Sequence, residues 1–477
     1  MGWGSKLKAI IGDDLLDDLQ YHLKEALEEG LDKHIRIAVT GLSRSGKTVF
    51  ITSLAHHLLE SHQGHSLPFF EASSRKQILS VKLVANQPNS FPLTENIQAL
   101  NDDPPRWPNS TTGLSQVSLA IKYKPAHRLK RLVTETATLY LDIIDYPGEW
   151  LLDLPLLNLS FAQWCSKQRA LLLQEPRYAI FKSWIERAST LDWQSDADPD
   201  VIKTLSQQYT ELLHTVRNDA YALSIIQPGR AVLPGDLEGD DVIQLFPIPC
   251  ELAPHTAYSP TSHYALLEAR YNRYKETIVK QFYREHFSRF DRQVVLVDCL
   301  KTLNNGKACF DDMKLALTDI LQSFNYSSSG FIRRLLIPRV DKVLFASTKA
   351  DHVTANQHHN LDKFLELIIQ DAQREIRFDD IETTCMAIAS IRSTEAAEAT
   401  LDGQTISCLK GISKESGETV ALFPGEIPTE LPTEKEWNSN RFRFVDFAPK
   451  RQPYTHLKAE HHIRLDQALS FLIGDMF

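Results

Sequence analysis

The stretch Gly41-Leu42-Ser43-Arg44-Ser45-Gly46-Lys47-Thr48 constrains this chain more than any other. It satisfies G-x-x-x-x-G-K-[ST] at every fixed position, and its flanks supply the context that the pattern needs. Before it, His34-Ile35-Arg36-Ile37-Ala38-Val39-Thr40 is a short β-branched run. Behind it, Val49, Phe50, Ser53, Leu54 and Leu58 continue with helical spacing. Strand, loop and helix in that order predict an α/β domain whose first connection curls around phosphate. Glycines let successive N–H groups face phosphate oxygens, and the helix amino terminus adds positive potential. Ser43, Arg44, Ser45, Gly46, Lys47, Thr48 and Val49 are therefore expected at a nucleotide. Lys47 would neutralise the β- and γ-phosphates, and the Thr48 hydroxyl would ligate Mg²⁺.

Two later stretches extend this reading. Leu139-Tyr140-Leu141-Asp142-Ile143-Ile144-Asp145-Tyr146-Pro147-Gly148 is an apolar strand that ends on a carboxylate. There Asp145 can hold Mg²⁺ through water, and the Gly148 N–H can approach a γ-phosphate. Next, Lys342-Val343-Leu344-Phe345-Ala346-Ser347 delivers Thr348-Lys349-Ala350-Asp351, the guanine-recognition pattern of GTPases. Asp351 would accept hydrogen bonds from N1–H and the 2-amino group of guanine, a donor pair that adenine lacks. The Lys349 stem would lie across the base, with His352 adjoining. Thr383–Ile391 reads as a last strand and base-contacting loop that brings Ser390 and Ile391 near guanine.

In this order the motifs resemble a Ras-like GTPase domain, and the whole chain resembles the YcjX family of bacterial GTP-binding stress proteins. The residues carrying the resemblance are the phosphate loop, Arg106-Trp107-Pro108-x-Ser110-Thr111-Thr112-Gly113, Asp145-Tyr146-Pro147-Gly148-Glu149-Trp150 and Thr348-Lys349-Ala350-Asp351. The similarity extends to Leu422-Phe423-Pro424-Gly425-Glu426-Ile427-Pro428. It implies GTP and GDP as ligands, Mg²⁺ as cofactor and a cytoplasmic protein linked to envelope stress. A membrane protein of the same stress regulon is the implied partner, which would bring the chain to the inner-membrane periphery. Ser110, Thr111 and Thr112 also resemble the first switch of heterotrimeric G-protein alpha subunits, with Thr111 as a γ-phosphate-dependent Mg²⁺ ligand. Trp107 would pack on the base or ribose, or within its own loop.

The chain departs from the Ras-like pattern at two of these positions. Glu149 follows Asp-x-x-Gly where many GTPases have a water-orienting Gln. A carboxylate accepts from water but cannot donate, which implies slow intrinsic hydrolysis. Ser43 stands where Ras-like proteins have a Gly and narrows access for an arginine supplied in trans. Arg106 is the nearest cis candidate, with a surface salt bridge as its competing role. Lys47, Thr111, Arg106 and Glu149 are thus the candidate catalytic residues, and Thr48, Thr111 and Asp145 the candidate metal ligands.

The expected architecture is a central, mostly parallel sheet flanked by helices. An amphipathic helix is expected over residues 1–33, from Leu16, Leu19, Leu23, Leu27 and Leu31. The GTPase domain would run over 34–150 and 291–402, interrupted by a helical insertion at 151–290 after the second switch. A hairpin-rich region and a final helix would fill 403–477. Residues 66–110 read as irregular structure with short elements.

Composition narrows the partners. Acidic side chains outnumber basic ones, 61 to 52, for a net charge of −9, which argues against nucleic-acid binding. No apolar run approaches bilayer length, and the amino terminus lacks a secretory signal. Six cysteines occur singly, without C-x-x-C pairs, as in a reduced cytoplasmic protein. The pairs His56-His57, His358-His359 and His461-His462 point to different helix sides and read as solvated surface. The function expected is a GTP-hydrolysing switch. The alternative is a GTP-binding scaffold with negligible turnover that docks a membrane-associated partner.

Overall fold

The computed structural model describes residues 32–42, 45–85, 89–109, 113–125, 135–252, 258–324, 340–375, 381–401, 404–439 and 441–477. Up to residue 31, the amphipathic helix expected at the amino terminus lies outside the described residues; Lys33 already belongs to a strand.

Among the described residues, seven strands form the central sheet: β1 Lys33–Gly41, β2 Ile78–Leu83, β3 Ser115–Tyr123, β4 Ala137–Asp145, β5 Arg292–Val297, β6 Lys342–Ser347 and β7 Glu382–Ala387. Their order is β2-β3-β4-β1-β5-β6-β7. The strands from β4 to β7 across the sheet are parallel, whereas β3 is antiparallel to β4 and β2 to β3. β2 is an addition to the expected set. It is an edge strand that leaves Leu79 and Leu83 exposed, so it lacks the unbroken apolar run that marks its buried neighbours.

Alternation along the strands separates two cores. Ile35, Ile37 and Val39 of β1 join Val294 and Leu296 of β5 and Leu344 of β6 on one face. Helix α1 (Lys47–Leu59) covers that face with Phe50, Leu54 and Leu58. A helix far downstream, Leu465–Ile473, adds Leu465, Leu469 and Leu472 to the same core; it is the final helix expected in the carboxy-terminal region. Ala38, Val295, Val297, Val343 and Phe345 point to the other face.

That second face is covered from the insertion. Helix α2 (Phe161–Leu172) starts in a capping box between Ser160 and Gln163. Helices α3 (Arg177–Ser189) and α4 (Pro199–Arg217) follow, the latter capped by Asp198 with Pro199 in its first turn. Helix α5 (His263–Arg273) runs on through a π turn over Tyr274–Val279. Trp164, Phe181, Tyr209 and Tyr271 from these helices share one core with Val295 and Phe345 of the sheet. The insertion is thus welded to the sheet rather than hung from it. Helix α6 (Lys307–Phe324) completes the weld: the Arg177 guanidinium lies 2.7 Å from the Asp312 carboxylate, both almost fully buried.

Beyond β7, strands β8 (Glu395–Leu401), β9 (Gln404–Ile412) and β10 (Thr419–Leu422) form a small antiparallel sheet. This matches the β-rich elaboration expected there. The solvated-surface reading fails for three histidines. His56, His57 and His462 are buried, and the rings of His57 and His462 meet edge-on at 4.8 Å. His56 bonds the Tyr454 carbonyl and His462 the Ser66 carbonyl, both at 2.8 Å, whereas the buried Nδ1 of His57 has no hydrogen-bond partner among the described residues. No group of three potential metal ligands from His, Cys, Asp and Glu occurs among the described residues.

Candidate nucleotide site

The carboxyl ends of β1, β4, β5 and β6 are level, because Val39 pairs with Asp145, Gly41 with Leu296, and Val297 with Ser347. In open α/β sheets the ligand crevice lies beyond such ends. The loop from Gly41 into α1 starts there. Its entry is fixed by Leu42 N–H on the Leu296 carbonyl (3.3 Å) and Ser45 N–H on the Leu42 carbonyl (3.1 Å). Gly46 has φ +84° and caps α1, a conformation that excludes ordinary side chains. Ser43 and Arg44 lie outside the described residues. Ser45 is buried, and its hydroxyl has no hydrogen-bond partner among the described residues. Lys47 and Val49 are half-buried, while Thr48 is buried at the helix start.

Asp145 closes β4 and is 1% exposed. The chain then turns through Pro147 into a single helical turn, Gly148–Leu151. A Cβ at Gly148 would run into the Gly41 carbonyl oxygen, so this turn and the phosphate loop touch backbone to backbone. Thr48 and Asp145 offer a hydroxyl and a carboxylate at one end of the sheet, the oxygen donors that suit Mg²⁺. Ser110, Thr111 and Thr112, expected from the first switch, lie outside the described residues. Trp107, on the extended stretch before them, is half-buried.

The two remaining catalytic candidates each have an ion-pair partner. Arg106 is exposed and pairs with Asp102 at 2.5 Å, four residues earlier, which is the surface salt bridge weighed against its catalytic role. Glu149 is buried, and its Oε1 accepts from Arg217 Nε at 2.7 Å. Arg217, the final residue of α4, is a partner that sequence spacing did not reveal.

The base side is built from strand ends and from the carboxy-terminal region. Lys349 has φ +61°. Its ammonium lies 2.7 Å from Asp298, at the end of β5, and 2.6 Å from Asp446. Burial opposes its charge, but the two carboxylates outweigh burial and hold its pKa above the ordinary lysine value. Asp351 is buried, with its Oδ2 accepting the Ser393 N–H at 2.7 Å and its carbonyl the Thr394 hydroxyl at 2.5 Å. His352 lies 3.9 Å from Asp351 and 3.8 Å from Asp446 and meets Phe447 edge-on. Burial lowers its pKa despite these acids. Ser390 and Ile391 lean instead on α1. The Ser390 carbonyl accepts from Ser53, and Ile391 lines a small cavity with Thr52 and His56. Ser393, two residues further, is the one that meets Asp351. Asp298 carries the same strand-end carboxylate signal as Asp145 and was legible; Asp446 was not.

Glu149 begins a densely wired turn. Gly229 lies so close that a Cβ there would strike the Glu149 carbonyl. Its N–H donates to both oxygens of Asp153, at 3.0 and 2.9 Å, and the Tyr274 hydroxyl donates to Oδ2 at 2.5 Å. Burial pushes the Asp153 carboxyl up to about 7, against these hydrogen bonds. A carboxyl raised on folding costs nothing below its unfolded pKa. The cost grows as pH climbs toward about 7 and is complete above that. The turn should therefore loosen on the insertion as pH rises from about 4 to about 7, with no further change above that. Amide exchange over residues 148–156, corrected for intrinsic rates, is expected to accelerate over that range. The acceleration should vanish in Asp153→Asn; an identical slope in the variant would show that another group titrates.

Comparison with known proteins gives one consistent result. Residues 35–477 match the YcjX-like family, DUF463. A protein of Escherichia coli (strain K12) described as Ras-like GTPase YcjX is 41% identical over 467 residues, covering 96% of this chain and 99% of that protein. A Shewanella oneidensis protein of the same description is 39% identical over 471 residues, covering 94% and 96%.

Proposed function

Because the chain belongs to the YcjX-like family, we propose that it is a Mg²⁺-dependent protein that binds GTP and hydrolyses it slowly. The observation that carries this reading is the alignment of strand ends, with the phosphate loop after β1, Asp145 after β4 and Asp351 after β6 at one edge. Lys47 and the loop amides would hold the phosphates. Thr48 and Asp145 would hold Mg²⁺, which supplies neutralisation of phosphate charge. Thr111 would join them when a γ-phosphate is present. Glu149 would accept a hydrogen bond from the attacking water, and Asp351 would read guanine with Lys349 across the base. The name given to its relatives supports GTP over ATP. A switch in an envelope-stress response, reporting to a membrane protein from a cytoplasmic position, is the physiological setting that we infer from the family resemblance. No helix among the described residues is long and apolar enough to cross a membrane.

Single-turnover cleavage of GTP with and without Mg²⁺ tests the activity. Tight GTP binding with no cleavage would leave a scaffold instead of an enzyme. Asp351→Asn tests the base reader. The amide can donate to the 2-oxo group of xanthine, whereas the carboxylate repels it. The ratio of XTP to GTP affinity should rise by up to about 10⁴–10⁵, the range for a site built to hydrogen-bond its substrate. Unchanged GTP preference in competition binding would remove Asp351 from the site.

A further inference from the structure

We infer that Arg217, delivered by the helical insertion, is the positioning residue that makes a carboxylate workable at position 149. This rests on the nucleotide reading above. The site sets up a conflict of charge. Gly148 touches the phosphate loop at Gly41, so the residue that follows it sits on the γ-phosphate side of the site. Here that residue is an acid, Glu149, with its side chain 5% exposed. A buried carboxylate is costly unless it is paired, and one facing a polyphosphate is repelled as well. The only cation in an ion pair with Glu149 among the described residues is Arg217, 2.7 Å from Oε1 and 27% exposed.

The pair is held on both sides. Arg217 ends α4, where a cation is favoured by the helix dipole. The backbone of Glu149 is packed against Gly229, where an added Cβ would strike the Glu149 carbonyl oxygen. Arg217 uses its Nε on one carboxylate oxygen, leaving Oε2 to accept from water. In hydrolysis the water oxygen bonds to the γ-phosphorus. The bond to the β,γ-bridging oxygen breaks, with its electron pair leaving on GDP. One water proton stays on the new phosphate and the other passes to a phosphate oxygen. Glu149 orients the water by accepting a hydrogen bond, and Arg217 cancels the charge that would otherwise push the γ-phosphate away.

The worth of Arg217 therefore depends on the acid at position 149. In full-length protein, Arg217→Ala should weaken a non-hydrolysable GTP analogue about tenfold while leaving GDP affinity within about twofold. Single-turnover cleavage should slow about 10- to 100-fold, and Arg217→Lys should recover part of both losses. In a Glu149→Gln background there is no charge to cancel, so the added Arg217→Ala should change analogue affinity by less than about twofold. Equal losses with and without the Glu149→Gln change would overturn the proposal, since Arg217 would then act on fold or nucleotide directly. Equal weakening of GDP and analogue would overturn it too. If the wild type bound neither nucleotide, the function proposed above would fall, and this inference with it. If it bound both without cleaving, the affinity pattern would still decide the role of Arg217.

Discussion

Lys47→Ala should abolish measurable GTP and GDP binding at micromolar protein, a loss of at least about 100-fold. The side chain is half-buried at the first turn of α1, and no ion pair to it occurs among the described residues. A nucleotide phosphate is the partner proposed for its charge. Removing one partner of a desolvated charge pair costs about 2–5 kcal/mol or more, because the phosphate is left facing the loop without a counter-charge. The loss should be similar for both nucleotides if Lys47 reaches the β-phosphate, and larger for GTP if it also reaches the γ-phosphate. Titration with fluorescent GDP and GTP analogues, with thermal unfolding to confirm an intact fold, checks this. Affinity within threefold of wild type would defeat the assignment of the phosphate loop.

The second large effect concerns the join between insertion and sheet. Asp312→Ala should lower stability by about 3–5 kcal/mol, the scale for stripping one partner from a buried ion pair. Arg177 and Asp312 have side chains only 8% and 4% exposed. Asp312 also accepts the backbone N–H groups of Ser224 and Ile225, at 2.5 and 3.0 Å. Alanine would leave two amides buried without acceptors and one cation without its counter-charge, Arg177 keeping the Ile225 carbonyl as acceptor. The urea midpoint of unfolding should fall sharply. Pairing the change with Arg177→Met should recover part of the loss by removing the stranded charge, though not the amides. A shift equivalent to less than about 1 kcal/mol would mean that water reaches the pair.

The buried parallel strands could be read from the sequence because they are covered on both faces. Val343, Leu344, Phe345 and Ala346 form an unbroken apolar run whose alternate members enter different cores. The phosphate loop was legible for a local reason: glycine, lysine and threonine at fixed spacing serve one ligand. The same holds for Asp145, Lys349 and Asp351, each at or just beyond the end of an apolar run. What escaped depends on distant parts of the chain. Asp446 reaches Lys349 from the carboxy-terminal region, and Arg217 reaches Glu149 from the far end of a helix that reads as ordinary insertion. No local pattern encodes either meeting. His57 and His462 illustrate the converse, since adjacent histidines look solvated until a tertiary core closes over them.

The place of β1 in the sheet has a consequence for how the chain is made. β1 is central, yet its neighbour β5 arrives long after it: Arg36 N–H meets the Asp291 carboxylate 255 residues away. At ribosomal rates of about 5–20 residues per second, that separation corresponds to roughly 10–50 seconds of synthesis. Throughout that interval one edge of β1 has no partner. The face carrying Ile35, Ile37 and Val39 waits longer still for Leu465, Leu469 and Leu472. Such non-local pairing slows folding and exposes strand edges to other nascent chains. Chaperones that cover exposed apolar strands would meet this open edge during translation. Ribosome-stalled chains ending before residue 292 should be captured by them, whereas chains that include β5 to β7 should begin to escape.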